Sequence, residues 1–254
     1  MAALLAAAAA AIAAPSAERC GASSGANRAA LLELYTSEGC SSCPPAEDWL
    51  RRLRARGYGA DTIVPLAFHV DYWDHLGWRD RFAQTVFSAR QRAAATRLRA
   101  QFVYTPQLLL DGKDLHQSWL DDRWIDLLHR EIEAAPGAAL ALSQRADNRL
   151  LHVDLEVRSA DSLATYAFVA LFESGLSTDV KRGENADRRL VHDFVVRTLL
   201  GPLYGAAGTA ARHKVSIELA PDWNHANLGI AAFAVAVESG ETLQAMAVPI
   251  CGLR

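Results

Sequence analysis

Basic charge is not in excess anywhere along this sequence. Its 254 residues carry 26 Lys and Arg against 29 Asp and Glu, a formal net charge of −3. Neither the segment before Pro136 nor the one after it is basic, which excludes a nucleic-acid or anionic-lipid footprint on the scale of a whole lobe. The arginines at 51, 52, 54 and 56 cluster locally, and read as the solvated face of a helix. No run after residue 20 is long and apolar enough to span a bilayer, so no stable membrane insertion is expected. No internal repeat is present. Cysteine is scarce too, with four residues. A chain of this length buries a sizeable core without disulfides, so the cysteines invite an explanation other than holding a small fold together.

What is present begins with Met1 to Ala14, almost all Ala, Leu and Ile and without charge. It is too short to span a membrane and ends in small residues, with cleavage points after Ala13, Ala14 or Ala17. We read residues 1–17 as a secretory signal peptide. No Lys or Arg precedes the apolar stretch, a gap that an upstream start codon would fill; the alternative is a disordered Ala-rich tail. Export places the mature chain in the periplasm or outside the cell, where disulfides persist. Cys20 and Cys251 lie at opposite ends of the mature chain. Termini often meet in space, so these two either form a bridge or remain free thiols.

Cys40 and Cys43 stand in Glu38-Gly39-Cys40-Ser41-Ser42-Cys43-Pro44-Pro45. An apolar run, Leu31 to Tyr35, precedes them and a helix-like run, Ala46 to Arg56, follows. Strand, Cys-x-x-Cys, helix is the arrangement of a thiol–disulfide exchange site. Free N–H groups at a helix start favour thiolate over thiol, lowering a cysteine pKa from about 8.5 towards the range of about 3.5–7.5. Cys40 is then the expected nucleophile and Cys43 its resolving partner, the two alternating between dithiol and disulfide. Pro44-Pro45 fits only the first helical turn, which suits a cap at Ser41 or Ser42 and leaves Cys40 less of the dipole. Two serines and no cation between the sulfurs point to an intermediate redox poise.

Residues 18–29 read as a linker, Gly-, Ser- and Ala-rich after Cys20. Thr62 to Val70 is a strand, Asp80 to Arg99 a helix, Leu108 to Lys113 a strand–turn–strand, and Asp121 to Glu133 a helix with Trp124, Leu127, Leu128 and Ile132 on one face. From Pro136 the pattern alternates with period two in seven stretches: Leu140–Arg145, Leu150–Arg158, Ala164–Phe172, Leu190–Leu200, His213–Leu219, Gly229–Val237 and Leu243–Ile250. These suggest an antiparallel β-sandwich over 137–254. The polar connection from Glu173 to Arg189 reads as a long loop with a function of its own.

The β-α-β-α-β-β-α order up to Ala135 resembles thioredoxin-like proteins at the Cys-x-x-Cys and at Thr105-Pro106. That resemblance implies an α/β thioredoxin-like domain over 30–136, with Pro106 in cis and Thr105 offering backbone groups to a bound substrate chain. A closer resemblance is to a bacterial secreted thioredoxin-like family of unknown function. It rests on Glu33 to Ala46, on Phe68-His69-Val70-Asp71-Tyr72-Trp73-Asp74 with Leu76-Gly77-Trp78, on Tyr104-Thr105-Pro106-Gln107, on Arg182-Gly183-Glu184-Asn185, and on Leu190-Val191-His192-Asp193 to Arg197.

The leading expectation is therefore a secreted or periplasmic thiol–disulfide oxidoreductase acting on protein cysteines, working with an unknown redox partner in a direction the sequence leaves open, and needing no cofactor. Catalysis falls to Cys40 and Cys43, and substrate contact to Thr105, Pro106 and Trp73, the last either walling a groove or packing. A second reading is a copper-type metal-binding module or metallochaperone using the thiols with His69 or His75; the leading reading assigns no metal ligand. A third is a non-catalytic interaction protein with a static bridge. His69, Asp71, Asp74 and His75 read either as a metal or proton-transfer group near the sulfurs or as hydrogen-bonded packing groups. Glu38 reads as a solvated loop acid, the alternative being a group that opposes thiolate formation or shuttles a proton for resolution. Glu184, His192 and Asp193 have no evident catalytic partner.

Overall fold

The computed structural model describes residues 19–147, 149–160 and 163–252. The stretch read as a signal peptide lies outside the described residues. The elements run β1 (Arg19–Ser23), β2 (Ala30–Thr36), α1 (Pro44–Arg51), β3 (Ile63–His69), α2 (Thr85–Arg97), β4 (Gln107–Leu110), β5 (Lys113–Asp114) and α3 (Arg123–Glu133). There follow β6 (Ala138–Asp147), β7 (Leu150–Ser159), β8 (Thr165–Glu173), β9 (Leu176–Asp179), β10 (Arg189–His192), β11 (Val195–Gly205), β12 (Ala210–Glu218), β13 (Leu228–Ala236) and β14 (Thr242–Pro249).

This is not an α/β thioredoxin-like domain followed by a separate sandwich. The described chain is largely β, with three α-helices, and one eight-stranded sheet runs through both halves in the order β14-β13-β8-β11-β3-β2-β4-β5. The join is β11 against β3. Val195 pairs in parallel with Ala67, whose N–H donates to the carbonyl of Phe194 at 2.8 Å. An uncovered β3 would present unpaired backbone groups along its edge, and β11 supplies a partner at Ala67. A second sheet, β1-β6-β7-β12, lies against the C-terminal half of the first.

The pattern of burial follows from these layers. Every residue of β2 is buried, as a strand covered on both faces must be. Leu32 and Leu34 face α1 and α3, meeting Leu50 and Trp124. Leu31 and Tyr35 face α2, whose Phe87 and Ala94 join Phe68, Ala170 and Phe233 in a core that crosses from the N-terminal to the C-terminal strands. Arg90 of α2 lies over Phe68, Phe168 and Phe233 at 5.7, 4.8 and 5.1 Å, a cation on three ring faces. In β7 the alternation is strict, because only its inner face is covered.

Three local expectations are corrected. The segment read as a linker contains β1, which pairs antiparallel with β6 from Arg19↔Arg145 to Ser23↔Ala141. The long loop after Glu173 contains β9, paired with β10 as a hairpin. The stretch Leu190–Leu200 is broken into β10 and β11 at Asp193-Phe194, where Phe194 adopts φ 58°.

Cys20 is bonded to Cys251 and Cys40 to Cys43, and no cysteine is free. Two disulfides fit an oxidising, non-cytoplasmic compartment. Among the described residues no helix is long and apolar enough to cross a membrane. The Cys20–Cys251 bridge ties edge strand β1 to the end of the chain across 231 residues. Replacing both cysteines by Ser should lower stability by about 2–4 kcal/mol, because a long loop is freed in the unfolded chain. Urea unfolding monitored by tryptophan fluorescence reads this loss.

Candidate functional site

The chain leaves the buried strand β2 at Thr36 and turns through Ser37-Glu38-Gly39 into Cys40. Cys40 N–H donates to the Ser37 carbonyl at 3.1 Å, and Cys43 N–H to the Cys40 carbonyl at 3.2 Å. The disulfide spans this turn with a Cα–Cα distance of 5.4 Å. Helix α1 starts at Pro44, with both prolines in the first turn and Cys43 as its cap. The cap is neither Ser41 nor Ser42. Two consecutive prolines lack N–H groups, so the first residues that can donate are Ala46 and Glu47, and both donate to the Cys43 carbonyl, at 2.9 and 3.2 Å. The first available N–H groups of the helix are therefore taken by the Cys43 backbone carbonyl. Cys40 Sγ lies 3.4 Å from the Ser42 hydroxyl.

Both cysteines are fully buried, although Ser41 and Ser42 between them are exposed. Part of the cover comes from the turn between β9 and β10. Asn185 Nδ2 donates to the carbonyls of Glu38 and Cys40 at 2.9 and 3.0 Å, and Ser41 N–H donates to Glu184 at 3.0 Å. The Ser41 hydroxyl and N–H hold the Glu184 carboxyl below the usual range. Close approach requires glycine at two points. A Cβ on Gly39 would stand 3.1 Å from Trp73 Cβ, and one on Gly183, at φ +77°, 3.1 Å from Trp78 Cβ.

Beside the disulfide turn runs an open groove of about 940 Å³, lined by Ser42, Pro45, Phe102, Thr105, Pro106 and Leu120 among others. Thr105–Pro106 is a cis peptide, as the sequence resemblance implies. Phe102 and Leu120 are 70% and 64% exposed, so the groove offers apolar surface to solvent. Trp73 does not line it. Its indole N–H donates to the Thr105 hydroxyl at 2.8 Å while the ring packs on the α2 core, so Trp73 braces the groove from behind.

Beneath the turn lies a buried polar cluster. Glu38 is fully buried, not a solvated acid: Oε2 accepts from the Trp78 indole at 2.7 Å, and Oε1 lies 3.3 Å from His192 Nε2. On its other side His192 Nδ1 contacts Glu47 Oε2, and Glu47 Oε1 accepts from the Thr36 hydroxyl at 2.6 Å. His69 Nδ1 donates to Asp80 Oδ2 at 2.7 Å. Burial alone would depress the His192 pKa, but Glu47 and Glu38 outweigh it and push it up to about 10. Burial likewise opposes ionisation of Glu47, and His192 overcomes this and holds it below the usual range. Asp80 is held low in the same way, against burial, by His69 and by the N–H groups of Glu38 and Phe82.

One ligand atom each from Glu47, His69 and His192 lie within 4.8 Å of one another, a set able to hold a metal ion. The sequence reading had His69 but not its companions. His75 does not join them; it is exposed on a short 3-10 turn, Asp74–Leu76. Asp71 accepts from the Thr85 and Ser88 hydroxyls at the start of α2, bonds that lower its pKa. Asp74 accepts from Asp80 N–H at 3.1 Å, with its pKa raised chiefly by burial. Asp193 accepts from Gly175 N–H at 2.6 Å and shapes the hairpin. With Cys40 and Cys43 joined, neither offers a thiolate to a copper-type ion.

Two solved structures resemble this one. The crystal structure of protein AGR_C_4864 from Agrobacterium tumefaciens is 26% identical, with a TM-score of 0.60, covering 89% of this chain and 95% of that chain. HBP35 of Porphyromonas gingivalis is 10% identical, with a TM-score of 0.64, covering 89% of this chain and 76% of that one, a likeness of fold alone. No functionally curated protein matches the chain. The profile of DUF1223, a protein family of unknown function, matches residues 31–235 and so spans the disulfide turn, the groove and the buried cluster: the chain belongs to the DUF1223 family.

Proposed function

We propose that this protein is an exported thiol–disulfide exchange protein that works through Cys40 and Cys43 on the cysteines of other proteins. The observation that carries the reading is the disulfide's position: it closes at the start of α1, in a turn whose Ser42 joins Pro45, Thr105 and Pro106 in lining an open apolar groove. An extended, partly apolar peptide fits such a groove and brings its own cysteine to the turn.

The exchange balances as follows. A substrate thiolate attacks Cys40 Sγ, the Cys40–Cys43 bond breaks, and Cys43 leaves as a thiolate that then takes up a proton. A second substrate thiolate attacks the substrate sulfur of the mixed disulfide and releases Cys40. The substrate loses two electrons and the protein gains them; run backwards, the same steps reduce a substrate disulfide. In this step Cys43, the cap residue of α1, is the leaving sulfur, and its departure is faster the lower its thiol pKa.

Access to Cys40 requires displacement of the turn carrying Glu184 and Asn185. Asn185→Ala removes two donors from the carbonyls of Glu38 and Cys40. It should speed reduction of this disulfide by a small thiol about tenfold, which corresponds to about 1.4 kcal/mol of lost cover. Stopped-flow thiol titration measures the rate. The reading itself is tested by trapping. Cys43→Ser should accumulate mixed disulfides at Cys40 with exported proteins, resolved by mass spectrometry. Absence of any adduct would overturn it in favour of a static bridge.

A further inference from the structure

We propose that Glu47, His69 and His192 form a binding site for a zinc-class divalent metal ion beneath the disulfide turn. The inference is independent of disulfide exchange, since no cysteine is a ligand.

The three residues come from three elements, α1, the end of β3 and the end of β10, which are far apart in sequence and folded onto one point. His69 is the clearest pointer. A carboxylate only accepts, so His69 Nδ1 carries the proton on its bond to Asp80, and Nε2 is left buried with no hydrogen-bond partner. A buried polar atom without a partner is destabilising, so its presence needs a reason. A carboxylate on one ring nitrogen with the other left bare is how metal-binding histidines are held. Glu38 Oε1 and His192 Nε2 are also buried without a hydrogen bond and face each other at 3.3 Å, so a second acid borders the site.

Charge favours the same conclusion. Glu38, Glu47 and Asp80 bring three acids into buried space against the His192 imidazolium. A divalent ion replacing the His192 proton neutralises more of that charge. Two imidazoles and one or two carboxylates suit zinc or cobalt(II) better than calcium or magnesium, which prefer oxygen alone. Phe82 closes the site by packing edge-on against His69 and His192, at 5.2 and 5.5 Å between ring centroids.

The test uses the full protein with both disulfides intact, stripped with chelator and titrated with Zn²⁺ against a chromophoric competitor. One equivalent should bind. His69→Gln and His192→Gln should each weaken binding at least tenfold. Asp80→Asn, which acts only by orienting His69, should weaken it about 10–100-fold. His75→Gln should leave it unchanged. Should the buried variants fail to fold, Co²⁺ bound to the wild-type protein supplies the readout: tetrahedral d–d bands without thiolate charge-transfer absorption are expected. Absence of stoichiometric binding, thiolate bands, or folded His69→Gln and His192→Gln variants with wild-type affinity would overturn the proposal.

Discussion

His192→Ala is expected to destabilise the protein by about 3–5 kcal/mol, the cost of removing one partner from a buried ion pair and leaving the other charged. His192 is 1% exposed and touches Glu47 on one side and Glu38 on the other. Among the described hydrogen bonds the substitution leaves the Glu47 carboxylate that of the Thr36 hydroxyl, with His69 nearby. The loss also depends on pH. The folded pKa of His192 is raised to about 10, above its ordinary value of about 6.5. Its contribution is therefore full below pH 6.5, declines above that, and is gone once pH has risen through 10. The lowered Glu47 pKa acts at the other end, adding stability above its ordinary value that is lost as pH falls through the folded one. Urea unfolding with chelator present should show wild type and His192→Ala far apart at pH 6 and converging towards pH 10. A constant gap across that range would mean that the imidazolium is not what holds the two acids.

The second large effect falls on chemistry. Cys40→Ser should abolish exchange, reducing turnover of a disulfide-bonded peptide to the uncatalysed level, while leaving the Cys20–Cys251 bridge in place. Cys43→Ser should still form the first mixed disulfide and stall there. A fluorescence assay for peptide reduction separates the two variants. If the Cys40–Cys43 bridge is only structural, wild type and Cys40→Ser will be equally inactive and differ in stability alone.

The sequence made the local chemistry legible and the long-range assembly much less so. Cys40 and Cys43 announce themselves by spacing, and Pro44-Pro45 marks a helix start to within two residues. Strict alternation in Leu151 to Val157 marks a one-sided strand because each residue reports its own burial. The merged sheet leaves no such trace. It depends on the backbone of Phe194 and Val195 meeting that of Ala67, and backbone pairing carries no residue signature. Strand β1 escaped for a related reason: Arg-Cys-Gly-Ala-Ser has little strand propensity, and its pairing with β6 and the bridge to Cys251 hold it.

The buried cluster shows the same limit. Glu47 and His192 are 145 residues apart, and neither stands in a metal-ligand spacing. A usable signal did exist. Gly183-Glu184-Asn185 and Leu190-Val191-His192-Asp193 are distinctive stretches in an otherwise polar connection, and they are the segments that cover Cys40 and pair with Glu47. His69 and His75 look equivalent in sequence, but one ends a buried strand and the other lies on an exposed turn.

The reduction potential of the Cys40–Cys43 couple tests the central claim most directly. The protein is equilibrated in glutathione or dithiothreitol buffers of set potential, alkylated, and the state of these two cysteines is read by mass. An exchange protein should titrate with a midpoint between about −120 and −270 mV, the span of known exchange couples. A pair that stays oxidised at poises below about −300 mV, where structural disulfides persist, would contradict the account.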